Sequence, residues 1–139
     1  MRGNRPELLA ASLRAENPGI EERIQKWLTG VDGPPYAHWF YRGPRERGAV
    51  RYKQIAIRND GRWTVEYVHR VMFALHRGDI PAGYEVSHEC QTKWCVRPDH
   101  MELRLPAEHR LLDAAFRKFV GGIPLNNILY WRIRKEGTD

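Results

Sequence analysis

Two cysteines and two histidines crowd the segment SHECQTKWCVRPDH, Ser87 to His100. Cys90, Cys95 and His100 follow a C-x4-C-x4-H spacing, which lets a tight loop bring two thiolates and an imidazole to one zinc ion. A structural zinc takes four protein ligands, so one is missing from this loop. His88, two residues before Cys90, competes for the place with a donor from further upstream. On a strand, residues two apart face the same side, so His88 could share the ion with Cys90. Alternatively His88 is kept off the metal for proton transfer near neutral pH. Spacing alone leaves both readings open.

These side chains need elements to hold them. Before the motif, YVHRVMFALHRG sets Val68, Val71, Met72 and Leu75 at helical spacing, with Gly78 as the stop, and this stripe reads as core. DIPAGYEVSHEC turns at Pro81-Ala82-Gly83 and runs into a short strand ending at His88. After RPDHMELRL, Pro106 suits the first position of a helix that carries Leu111, Leu112, Ala115, Phe116 and Phe119 inward and closes at Gly121-Gly122. The motif order is therefore strand, turn, strand, helix. Upstream, VRYKQIAI and RWTVEYV alternate around Asn59-Asp60-Gly61, a hairpin signal because these residues tolerate positive φ.

Residues 1–30 read as an N-terminal helical arm in two pieces, PELLAASLRAE and IEERIQKWLTG. Pro6 stands at the N1 position, Asn17-Pro18-Gly19 forms the break, and Gly30 is the C-terminal stop. VDGPPYA is a turn-rich linker. The main domain runs from 31 to 122, and residues 123–139 form a C-terminal helix or basic tail.

The chain has 139 residues, enough for one core without a disulfide framework, and only two cysteines. Its net charge is +6, which makes nucleic acid a natural partner. Residues 31–60 hold six Lys/Arg against three acids, half of that net charge. Arg51 and Lys53 share a face of the first hairpin strand, with Arg42, Arg45, Arg47 and Arg58 in the flanking loops. Together they read either as a solvated face or as a DNA-binding ribbon. No window approaches the roughly 18 apolar residues of a membrane span, so the expected location is intracellular and no membrane partner is expected.

The run HECQTKWCVRPDHMEL followed by AEH resembles the zinc-containing branch of the HNH, or ββα-metal, endonucleases. This branch includes the His-Cys box homing endonucleases and small phage and intron enzymes. Its pattern has an active-site His, a Cys two residues on, a C-V-N-P-x-H-L run and, nine residues after the last His, an Asn in the motif helix. HWFYRG stands where the family often has Cys-Trp followed by Gly, and the likeness spans roughly residues 36–115.

The resemblance implies an α+β fold: a zinc-stapled ββα-metal (His-Me finger) core, preceded by an antiparallel β-hairpin and flanked by N- and C-terminal helices. It makes His88 the general base and assigns structural Zn2+ to Cys90, Cys95 and His100, with His38 as the fourth ligand in place of the family's Cys. His109 falls where the family's Asn holds a single catalytic divalent ion. An imidazole is a softer donor than an amide oxygen, so that ion is Mg2+, Mn2+ or another divalent transition metal. Arg62 resembles an arginine used against the scissile phosphate, His69 is structural, and Trp94 shields the zinc.

The implied function is metal-dependent cleavage of double-stranded DNA by a phage- or intron-encoded endonuclease of homing or phage type. A monomer would nick, and a homodimer could cut both strands. The alternatives are a noncatalytic zinc module that binds DNA, and a structural zinc domain that binds protein.

Overall fold

The computed structural model describes residues 6–43, 53–90 and 92–119. The fold is α+β, with helices α1 (Ala10–Glu16), α2 (Ile20–Gln25), α3 (Val68–His76) and α4 (Pro106–Phe119). Six short strands, β1 (Leu28–Thr29), β2 (Phe40–Tyr41), β3 (Gln54–Asn59), β4 (Arg62–Tyr67), β5 (Glu85–His88) and β6 (Met101–Arg104), form three antiparallel pairs in chain order. Among the described residues no helix is long and apolar enough to cross a membrane.

The break at Asn17-Pro18-Gly19 separates α1 from α2, and Gly19 sits at φ +76°. Pro6 does not start a helix. Leu8 pairs as a β-bridge with Ile80 through two backbone hydrogen bonds of 2.9 and 2.8 Å, which delays α1 to Ala10. Leu8, Leu13, Ile20 and Ile24 join Ile55, Ile57, Val68, Val71, Met72 and Leu75 in one buried cluster. Burying each such side chain contributes about 1.5–3 kcal/mol. The stripe read from the sequence on α3 is thus core, and the N-terminal helices close the same core.

In the β3–β4 hairpin, Asn59 pairs with Arg62, leaving Asp60 and Gly61 as a two-residue loop at φ +55° and +75°. Both angles are positive, as a type I′ turn requires. The Glu16 carboxylate accepts from both loop amides, Asp60 N at 3.0 Å and Gly61 N at 2.6 Å. Asn17 satisfies the edge of β3, donating to the Arg58 carbonyl at 2.9 Å and accepting from the Arg58 amide at 2.8 Å. Arg58 therefore belongs to the strand and not to a loop, and its guanidinium lies 5.7 Å from the centre of the Trp63 ring opposite it.

β4 passes directly into α3, and the joint is held by a buried cation. Arg70, 1% exposed, pairs with Glu66 at 3.3 Å and donates to the carbonyls of Tyr84 (2.9 Å) and Pro6 (2.8 Å). It ties β4, the approach to β5 and the N-terminal segment to α3.

β5 and β6 pair with Glu85 opposite Arg104 and His88 opposite Met101, and residues 89–100 form the loop between them. α4 then begins at Pro106, as its sequence predicts, completing the ββα motif. Glu108 reaches back to the Leu105 amide at 3.1 Å, the returning half of a capping box, and the His109 amide closes the first turn on Leu105 O at 2.9 Å. Leu111 and Leu112 do not point inward; they are 71% and 47% exposed. The face of α4 turned to the strands carries Pro106 and the half-buried His109, and Leu111 lies about 200° around the helix from His109. The inward placement of Ala115, Phe116 and Phe119, the Gly121-Gly122 stop and the tail at 123–139 lie outside the described side chains and residues.

Candidate metal centre and active site

The donor atoms of His38, Cys90, Cys95 and His100 lie within 4.8 Å of one another, with the last three side chains buried. Three come from the loop between β5 and β6, and His38 comes from the loop between β1 and β2. Backbone contacts lock the two loops together: Phe40 bridges Cys95, and the Val96 amide donates to Trp39 O at 2.8 Å. Arg97 adds a clamp, donating to Pro34 O (2.9 Å) and Ala37 O (3.1 Å) with its guanidinium 5.1 Å from the Trp39 ring centre.

Gly30 is not a helix stop. It sits at φ +89° after β1, and a Cβ there would strike the His38 carbonyl oxygen, so the close approach of the His38 loop needs glycine. The segment VDGPPYA is likewise a wall of the site and not a linker. Its Tyr36 packs on the two cysteines, and its Pro35 carbonyl lies 2.7 Å from His100 Nε2. Trp94, which the sequence suggests as the shield, is 36% exposed, while the half-buried Tyr36 packs on the cysteines.

Two thiols and two imidazoles gathered this closely form a donor set suited to a divalent metal ion such as zinc. His100 gives its Nε2 proton to Pro35 O and turns Nδ1 toward Cys95 Sγ at 3.5 Å, which fixes the tautomer a metal ligand needs. His38 places Nε2 3.3 Å from Thr92 Oγ1, and its buried Nδ1 has no hydrogen-bond partner among the described residues. The hydrogen bond from the Cys90 thiol pulls Cys95 down toward thiolate, against burial and with help from His100 and His38. The same bond, then burial, pushes Cys90 up. A bound cation would hold both sulfurs as thiolates.

His88 stands apart from the four. It closes β5, is 7% exposed, and its Nε2 lies 2.9 Å from the backbone oxygen of Cys95. A carbonyl only accepts, so the proton is on Nε2 and the basic lone pair of the neutral ring is on Nδ1. Burial, above all, pushes its pKa down to about 4; the nearby Cys95 opposes this, and His109 and His100 add to it. His69 on α3 packs against His88 with ring centres 4.8 Å apart and stacks on Tyr67 at 5.6 Å. It therefore braces the His88 ring.

His109, in the first turn of α4, brings Nδ1 to within 3.0 Å of Glu85 Oε1 at the start of β5. Nothing in the sequence pattern singles out Glu85; only the strand-to-helix packing of the ββα motif makes the pair. Arg62 stands at the hairpin tip, at the opposite end of β4 from Tyr67, whose ring stacks on His69. Of the basic residues, Lys53 precedes β3 and Arg42 follows β2, donating its amide to Trp27 O at 2.9 Å. Arg45, Arg47 and Arg51 lie outside the described residues.

Residues 66–111 match the family model described as HNH endonuclease. The match runs from the end of β4 into α4, so it contains His88, the β5–β6 loop and His109, and leaves out His38 and the hairpin tip. A stretch of 52 residues is 33% identical to the uncharacterized gene 5.3 protein of Enterobacteria phage T3. It makes up 37% of this chain and 52% of that protein, so the chain spans about half the length of the curated relative it matches. No solved structure matches.

Proposed function

We propose that this chain, whose residues 66–111 match the HNH endonuclease family, hydrolyses phosphodiester bonds in double-stranded DNA with His88 as general base and a divalent ion at His109. One observation carries the reading. Within the matched segment a buried histidine has its tautomer set by a backbone carbonyl, beside a Cys2His2 cluster.

With Nε2–H held by Cys95 O, His88 Nδ1 takes the proton from a water molecule as that water attacks phosphorus. His109 would hold the catalytic ion, which when bound would neutralise the negative charge developing on the scissile phosphate. A donor set of one imidazole with a carboxylate behind it suits Mn2+ or another borderline divalent cation, and Mg2+ with more of its shell from water and phosphate.

His38, Cys90, Cys95 and His100 would hold structural zinc. Its contribution to cleavage is indirect but definite: the carbonyl that orients His88 belongs to Cys95, one of the four donors. Loss of zinc would release that carbonyl and the His88 tautomer with it. Arg42, Lys53 and Arg58, together with Arg45, Arg47 and Arg51, supply phosphate contacts that position DNA without reading its sequence, and Arg62 acts against the scissile phosphate.

The test is cleavage of supercoiled plasmid by zinc-loaded protein with Mg2+ or Mn2+. Nicked or linear product supports the reading. DNA binding without cutting under every divalent metal would replace it with a noncatalytic DNA-binding module.

A further inference from the structure

Glu85 and His109 are separated by 24 positions in sequence and meet where the first residue of β5 faces the first turn of α4. The contact is well shielded, with side chains 15% and 25% exposed. Arg104 is the residue opposite Glu85 in the strand register, yet its guanidinium donates to Glu89 at 2.8 Å. Glu85 Oε1 is engaged by His109 Nδ1 at 3.0 Å.

A carboxylate offers only lone pairs, so the proton of this contact sits on His109 Nδ1. In the neutral ring the donor pair then belongs to Nε2. An imidazole differs from an amide ligand in having two nitrogens of which either could carry the proton, and a carboxylate behind one of them removes that freedom. It also makes the other nitrogen a stronger donor, because the ring shares the negative charge across the hydrogen bond.

We propose that Glu85 is a positioning residue that holds His109 in the Nδ1–H tautomer and so presents Nε2 to the catalytic divalent cation. The proposal rests on the assignment of His109 as a metal residue in the nuclease reading above. Glu85 touches neither substrate nor ion; it acts through His109.

The experiment uses full-length zinc-loaded protein, wild type and the variants Glu85→Gln, Glu85→Ala and His109→Ala. Two readouts are independent of cleavage: the His109 tautomer from long-range 15N–1H NMR correlations, and Mn2+ affinity from the EPR signal of the free ion. Zinc stoichiometry confirms that each variant is folded. Wild type should show Nδ1–H, and Glu85→Ala should lose that tautomer and bind Mn2+ about 10–100-fold more weakly. Glu85→Gln, whose amide oxygen still accepts, should keep the tautomer and part of the affinity.

An Nε2–H tautomer in wild type, or unchanged Mn2+ affinity in a folded Glu85→Ala, overturns the proposal and leaves cleavage by His88 and His109 standing. Mn2+ binding unaffected by His109→Ala overturns the metal assignment itself, and this proposal with it. Glu85-dependent Mn2+ binding in a protein that cuts no DNA would support the role of Glu85 and sink the nuclease reading.

Discussion

Replacing His38 with alanine removes one of four donors from the proposed zinc site while leaving the framework around it. The loop would keep its backbone links, Val96 N to Trp39 O and the Phe40–Cys95 bridge, and its Arg97 clamp. The variant should therefore fold at saturating zinc. Zinc binding to such small structural sites is worth about 10–16 kcal/mol, so an even share per ligand is about 2.5–4 kcal/mol, or roughly a hundred- to a thousandfold in affinity. Competition with a chromophoric chelator measures this directly, and thermal unfolding at limiting zinc should fall in parallel. His38→Cys should recover most of the loss, because zinc accepts thiolate where it accepts imidazole. One zinc per chain at wild-type affinity in His38→Ala would refute the four-donor assignment and point to another fourth ligand.

Gly30→Ala should weaken zinc binding and lower the melting temperature although residue 30 is no ligand. The backbone there sits at φ +89° and the new Cβ meets the His38 carbonyl, so the strain exceeds the roughly 1–2 kcal/mol of a left-handed residue alone; a wild-type melting temperature would contradict this. Arg70→Ala leaves Glu66 buried without its partner and should cost about 3–5 kcal/mol in denaturant unfolding, and a loss below 1 kcal/mol would show that the charge network is dispensable. Arg58→Ala should lower DNA affinity similarly for all sequences and reduce the salt slope by about 1, read from binding isotherms across a salt series; an unchanged slope would remove Arg58 from the DNA surface.

The parts of the fold that local chemistry decides were legible in the sequence. Asn59-Asp60-Gly61 specifies a tight hairpin because positive φ is available at two successive positions, and the α3 stripe repeats at the helical period. Pro106 opens α4 because the first helical residue needs no amide proton. The grouping of His38 with Cys90, Cys95 and His100 came from motif order, and the structure brings those four together. What escaped is set by tertiary contact. Pro6 fails to start a helix because Leu8 is recruited by Ile80 across the chain, and Gly30 serves a close approach that looks like a helix stop in one dimension. Leu111 and Leu112 face outward because His109, not the leucines, turns to the strands. Tyr36 packs on the cysteines from a segment that reads as a linker, and Glu85 carries no signal until β5 and α4 are packed.

In the proposed mechanism His88 does the chemistry while His38, Cys90, Cys95 and His100 hold the metal that positions it. The measurement is plasmid cleavage by His88→Ala with zinc content and folding checked on the same sample. His88→Ala should keep one zinc per chain and a single cooperative unfolding transition while its cleavage rate falls by about 10²–10⁴-fold. Undiminished cleavage, or loss of zinc together with activity, would contradict this mechanism and put His88 among the zinc ligands or outside the site.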